Sequence, residues 1–131
     1  MPGIARLKRR AEFLRVADGR RKAVTPGLIL QALKRPREAT AETTAMLNAE
    51  TTDAPRVGFT ASRKVGIAVA RNRARRRLRA AAGEVMPRHA APGHDYVVIA
   101  RLQTLKRPFT ALLGDFEAAL KQLGAWRRGN E

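Results

Sequence analysis

Apolar and polar positions along this chain follow two different periods, and the switches between them mark out the elements. From Ile4 to Ala17 the spacing is that of a helix, with Leu7, Ala11 and Leu14 on one side of the wheel and Phe13, Val16 and Ala17 roughly on another. One helix in a small domain does not easily bury both sides. Asp18-Gly19 stops the run, and Thr25-Pro26-Gly27 opens "LILQAL", whose bulk and flanking Pro and Gly predict a buried strand. In "RVGFTASRKVG", Val57, Phe59 and Ala61 alternate with Gly58, Thr60 and Ser62, the two-residue period of a strand central in a sheet. At Ile67 the period changes. Ile67, Ala70, Ala74, Leu78, Ala81 and Val85 fall within roughly 80° of one another on a helical wheel, and Pro87 is expected to end that helix. "DYVVIAR" reads as a strand covered on both faces, or on one face plus an edge. After Pro108, the positions Phe109, Leu112, Leu113, Phe116, Leu120 and Leu123 define an amphipathic last helix. The predicted order is helix, strand, strand, helix, strand, helix, without internal repeats.

A chain of 131 residues suits one domain with a modest core, so 1–131 is read as a single unit. Within it, 37–55 turns to Thr, Ala and Glu with only acidic charge after Arg37, and is expected to be a long irregular connection. The longest apolar stretch, "YVVIA", is far too short to span a bilayer, and "MPGIARLKRRAEFL" lacks the apolar core of a signal peptide. A soluble cytoplasmic protein with no membrane partner is expected. Without Cys there is neither a disulfide framework nor a thiolate metal site.

Charge changes the picture most. Lys and Arg number 27 against 11 acids, a formal charge of +16, and 21 of the 27 are Arg. Guanidinium is planar, permanently charged and able to fork onto phosphate or stack on a base, so this bias points to nucleic acid. The excess concentrates in "RNRARRRLR" at 71–79, where Arg71, Arg75 and Arg79 form one ridge at spacing four, Asn72 and Arg76 lie just beyond it, and Arg73 sits toward the other flank. Between Val57 and Ala80 there are eight Lys or Arg, Arg63, Lys64 and Arg77 among them, and no Asp or Glu. Like charges at spacing four destabilise a helix by a few tenths of a kcal/mol per pair, unless a polyanion neutralises them. A solvated basic face, the alternative, normally mixes signs. Catalytic chemistry is hard to find: no phosphate-cradling loop, metal-ligand spacing or nucleophile elbow is present. His89 and His94 lie beside Pro and Gly as surface or turn residues, and Trp126 reads as a partly buried end-of-helix side chain rather than a stacking platform.

"RVGFTASRKVGIAVARNRARRRLRA", followed by "DYVVIAR", closely resembles the protein subunit of bacterial ribonuclease P, whose hallmark is Arg-Asn-Arg opening a helix after a Val-Gly-(Phe/Leu) strand and a Lys-Val-Gly turn. The match is strong over Arg56–Ala80, clear over Asp95–Arg101, and follows in order and spacing over Leu7–Leu33. The resemblance implies an α/β sandwich (α+β), with a mixed sheet of about four strands, three helices and a left-handed βαβ crossover. It implies an endoribonuclease holoenzyme in which an RNA subunit carries the Mg²⁺-dependent cleavage of the 5′ leader from precursor tRNA, and the protein is an essential cofactor. It assigns Arg63, Lys64, Arg71, Asn72, Arg73, Arg75, Arg76 and Arg79 to the catalytic RNA. Phe13, Ile29 and Gln31 are assigned to a cleft for the single-stranded leader. No catalytic residue, metal ligand or obligate protein partner is assigned to the chain itself. Three positions depart from the family pattern: Ile67 where Asn is common, and Ala17 and Gln31 where aromatics are common. Phe13 stays open between leader stacking and core packing. A non-catalytic RNA-binding module, such as a ribosomal or RNA-chaperone protein, is the alternative function, and a DNA-binding helix is disfavoured because closely spaced Arg leave little polar variety for base readout.

Overall fold

The computed structural model describes residues 4–35 and 54–127. The expected irregular connection at 37–55 therefore falls outside the described residues, apart from Ala54 and Pro55. The described chain forms β1 (Ala5–Arg6), α1 (Arg10–Asp18), β2 (Lys22–Val24), β3 (Leu28–Lys34), β4 (Arg56–Thr60), α2 (Ala68–His89), β5 (His94–Ala100), a 3₁₀ turn (Leu102–Leu105) and α3 (Phe109–Gln122). Three helices and a mixed sheet give the expected α+β class, with five strands instead of about four. Their order across the sheet is β1-β4-β5-β3-β2. β4 runs parallel to both β1 and β5, so α2 is the crossover between parallel neighbours, while β3 is antiparallel to β5 and β2.

Two short strands, β1 and β2, have no place in the predicted order of elements, and β1 corrects the predicted helix at Ile4–Ala17. Ala5 donates its N–H to Pro55 O (2.9 Å) and Leu7 to Val57 O (3.0 Å), so the open edge of β4 takes these residues as strand. The helix starts only after Arg9, which is extended, where the Glu12 carboxylate accepts the N–H groups of Lys8 (3.0 Å) and Arg9 (2.9 Å). Only part of the predicted apolar surface is used: Leu7 and Val16 are buried, whereas Ala11, Leu14 and Ala17 are exposed.

The alternation within β3 separates two layers. Leu28, Leu30 and Ala32 join the main core with Val57, Tyr96 and Val98, under Ala74, Leu78, Ala81, Val85 and Met86 of α2 and Leu112, Phe116 and Leu120 of α3. On the opposite face α1 covers a smaller cluster of Leu7, Val16 and Val97, with Phe13, Leu33 and Ile99 partly buried. Two details of α2 differ from the wheel. Ile67 is its extended N-cap and is 76 % exposed. Pro87 lies inside the helix, which continues to His89. A proline this close to the end removes one backbone bond without unseating the turn, because Val85 and Met86 are buried and Ala91 N–H bonds to Ala125 O at 3.0 Å.

Candidate nucleic-acid interface

A tight turn delivers the basic helix. Val65 is buried and donates to Ser62 O (3.0 Å), and Gly66 donates to Arg63 O (3.1 Å) with φ +147°, a conformation open to glycine. With Val65 anchored inward, Arg63 and Lys64 are left exposed. The helix then presents Asn72, Arg73 and Arg76 exposed, while Arg71, Arg75 and Arg79 stand half-buried at the border of the face that carries Ala74, Leu78 and Ala81. Among the described residues, none of these cations makes an ion pair with a carboxylate.

An open groove of about 450 Å³ runs along this face, lined by Val69, Asn72, Arg75, Arg76 and Arg79. Arg75 donates to the Asn72 side-chain oxygen, which fixes two polar groups side by side. The Nε atoms of Arg71 and Arg79 are shielded from water and have no hydrogen-bond partner among the described residues. Arg79 lies over the ring of Phe59, 5.7 Å from its centroid, so its charge is held by an aromatic face and not by an acid. Arg77 does something different. Its Nε donates to Thr104 O (3.0 Å) and its terminal nitrogen to Arg107 O, tying α2 to the segment before α3.

The other sequence-assigned residues lie across the sheet. Gly58 and Thr60 pair in register with Val97 and Ile99, which pair in turn with Gln31 and Ile29, so all six share the face that α1 covers. Phe13 reaches from α1 onto Gly58. A cavity of about 390 Å³ opens beside it, lined by Arg10, Phe13, Leu14, Phe59 and Thr60. Ile29 and Gln31 are half-buried on the same face but do not line that cavity. Of the three residues assigned to the leader, only Phe13 lines this cavity. Arg10, Leu14, Phe59 and Thr60 had no sequence signal beyond proximity: Leu14 read as core, and Phe59 as an ordinary strand position.

Asp95 is the second feature that sequence reasoning missed. Its carboxylate is fully buried and accepts from Arg15 (2.6 Å), Arg35 (2.7 Å) and Arg56 (2.7 Å), and Arg56 also reaches Glu12 at 2.7 Å. Burial alone would raise its pKa, but the hydrogen bonds from Arg56, Arg35 and Arg15 outweigh that and leave it lowered. The cluster locks α1 and β3 to β4 and β5, which holds Phe13 over the sheet. A lone Asp opening the otherwise apolar "DYVVIA" was the available hint.

These donors do not fit a protein-held Mg²⁺ site. Hard cations take several oxygen ligands, yet the buried carboxylate of Asp95 is already occupied by three guanidinium groups, and no group of three or more His, Asp or Glu converges among the described residues. His89 stacks on Trp126 (ring centroids 3.9 Å apart) and bonds to Arg127 O at 2.9 Å; His94 bonds to Pro92 O at 2.9 Å. Both are structural, and Trp126 is partly buried as its sequence position suggested. No described helix is long and apolar enough to cross a membrane.

An α+β scaffold whose long helix carries arginines without an acidic partner among the described residues defines a basic protein class. The Ribonuclease P family model matches residues 1–124, and the chain belongs to that family. It is 55 % identical over 123 residues to the ribonuclease P protein component of Paramagnetospirillum magneticum, covering 94 % of this chain and 85 % of that one. Against the ribonuclease P protein component of Gluconacetobacter diazotrophicus it is 45 % identical over 126 residues, covering 96 % and 95 %. Among solved structures, the Staphylococcus aureus RNase P protein superposes with a TM-score of 0.69 at 22 % identity, covering 93 % of this chain and 97 % of that one. The Thermotoga maritima RNase P protein gives 0.64 at 20 %, covering 86 % and 92 %. These last two likenesses concern the fold.

Proposed function

We propose that this chain is the protein component of a ribonuclease P holoenzyme, binding a catalytic RNA through the α2 arginine face and the 5′ leader of precursor tRNA over the α1 side of the sheet. The observation that carries the reading is the arginine face itself: Arg71, Arg73, Arg75, Arg76 and Arg79 have no acidic partner among the described residues, and the fold leaves them exposed or half-exposed. Each phosphate they neutralise releases counterions, which favours association and makes it salt-dependent. Hydrolysis, with its Mg²⁺, is assigned to the RNA. The chain's own residues bind, orient and hold the leader, and no catalytic step is assigned to them. A cytoplasmic site of action belongs to the same proposal.

Reconstitution with a candidate catalytic RNA, assayed on tRNA carrying a 5′ leader, tests this. Expected is accurate 5′ cleavage that depends on both subunits at moderate salt. Tight binding to the RNA with no effect on cleavage at any salt would favour the plain RNA-binding module instead.

A further inference from the structure

The core takes one face of α3 and leaves another open. Leu112, Phe116, Ala119 and Leu120 are buried, while Leu113, Gly114 and Glu117 line an open groove of about 360 Å³ between α3 and the C-terminal half of α2. Glu84 and Arg88 line it from α2, and Trp126 from the segment that follows α3. Gly114 is the residue that calls for an occupant. Glycine in the middle of a helix costs stability relative to alanine, and Gly114 is absent from the positive-φ residues, so its backbone does not require glycine. Nor does the packing: a Cβ at Gly114 would meet no atom within 4 Å among the described residues. Bare backbone at an exposed helical position lets another molecule approach α3 more closely than a side chain would permit.

The charges around it differ in kind from those of the arginine face. Glu12, Asp95 and Asp115 are each held by arginine. The other acids among the described residues are Asp18, Glu84 and Glu117, and the last two line this groove. Glu84 makes no ion pair among the described residues, and Glu117 holds only Lys121, at 2.9 Å, in a surface pair of the kind that contributes little and exchanges readily. With Arg88 exposed in the same lining, the groove mixes signs beside apolar Leu113 and Trp126. The run from Arg71 to Arg76 lies roughly 12 to 20 Å back along α2 from Glu84 at 1.5 Å per residue, beyond a Debye length of about 8 Å at physiological salt. Such a lining suits protein and not a phosphate backbone.

We propose that this groove is a docking site for an amphipathic helix of a partner protein, with an apolar side chain seated over Gly114 against Leu113 and Trp126, and basic residues directed at Glu84 and Glu117. The apolar contact supplies the affinity and the two carboxylates set the orientation. The groove shares no lining residue with the α2 arginine groove or the cavity under α1, so the inference does not depend on the RNA-binding reading.

Trp126 is the chain's single Trp, so its fluorescence reports on this groove. The full-length protein is titrated with two synthetic amphipathic helical peptides that share a leucine face, one with lysine and one with glutamate on the polar side, and with single-stranded RNA. The Leu/Lys peptide should shift Trp126 emission saturably. Gly114→Leu, which fills the groove from an exposed position, should weaken that binding by about tenfold or more. Glu84→Gln and Glu117→Gln should each weaken it by about 1.5- to 5-fold, the span of an exposed charge pair. Assembly with the catalytic RNA should be unchanged in all three variants. Glu84→Lys decides the matter if Gly114→Leu does not fold, and should weaken binding of the Leu/Lys peptide alone. The proposal is overturned if the Leu/Lys peptide leaves Trp126 emission unchanged, if folded Gly114→Leu or Glu84→Lys binds it as the wild type does, or if the Leu/Glu peptide or the RNA shifts the emission more strongly. An emission change on dilution of the protein alone would make the occupant a second copy of this chain and would overturn it equally.

Discussion

Three guanidinium groups converge on one buried carboxylate at Asp95, and that residue sets how α1 sits over the sheet. Removing one partner from a buried ionic cluster leaves the others uncompensated. Asp95→Asn, which keeps the shape but not the charge, is expected to lower stability by about 3 to 5 kcal/mol, read from denaturant unfolding. The pH dependence follows in sign. A carboxyl whose folded pKa is depressed contributes stability that is present above its unfolded value and lost as pH falls through the folded one. Asp95 is lowered despite its burial, and Glu12 is lowered chiefly by the Arg9 N–H. Melting temperature should therefore drop as pH falls below about 4, where unfolded carboxyls begin to take up protons. The drop should be shallower in Asp95→Asn, and equal slopes for the two proteins would remove Asp95 from the acid transition.

At the scale of elements, two arginines four residues apart on α2 have opposite fates. Arg77 is tied to the carbonyls of Thr104 and Arg107, whereas Arg73 is exposed with no acidic partner among the described residues. Arg77→Ala is expected to destabilise the protein by about 1.5 to 3 kcal/mol, the range for a hydrogen bond from a charged group, and to leave the salt dependence of RNA binding unchanged. Arg73→Ala should do the reverse, with melting temperature unchanged and the salt slope shallower by about one unit. Nothing in "RNRARRRLR" distinguished the two, because the partners of Arg77 are backbone atoms far along the chain. Where the pattern was local and periodic the sequence was legible: Ala74, Leu78, Ala81 and Val85 all pack as the wheel predicted. Where an open strand edge competed with helical spacing, as at Ala5–Arg6, the tertiary bond won. Pro87 shows the same priority, a local breaker overridden by buried Val85 and Met86. The basic face could be read because charge accumulates visibly along one segment. The cavity could not, since Arg10, Leu14, Phe59 and Thr60 meet only through the crossing of α1 over β4.

At the scale of the whole molecule, the groove on α2 and the cavity under α1 have no lining residue in common, and their one link is Arg79 of the groove lying over the ring of Phe59 of the cavity. Neither contains a converging acid, base and metal set among the described residues. The isolated protein is expected to show no cleavage of precursor tRNA, because nothing on either surface would carry the chemistry. Specific 5′ cleavage by purified protein, persisting after micrococcal nuclease has destroyed any RNA, would defeat that expectation.

The two surfaces should also separate by experiment. Among the described residues Arg71, Arg73 and Arg76 pair with no carboxylate, so each Ala replacement removes a charge available to phosphate. Holoenzyme assembly should weaken, and log affinity should fall less steeply with log salt, by about one unit for each lost contact. Leader length should make no difference to these variants if their charges meet the catalytic RNA and not the leader. Phe13 lies on the other side of the sheet, over Gly58. Its loss should leave the salt slope of assembly intact and weaken binding only of tRNAs whose leader extends far enough to be stacked. Measuring assembly and substrate affinity for both sets of variants across salt, with leaders of one and of several nucleotides, gives a two-by-two pattern with filled diagonals. A salt-slope change in Phe13→Ala, or a leader-length effect in Arg71→Ala, would mean that the catalytic RNA and the leader share one surface.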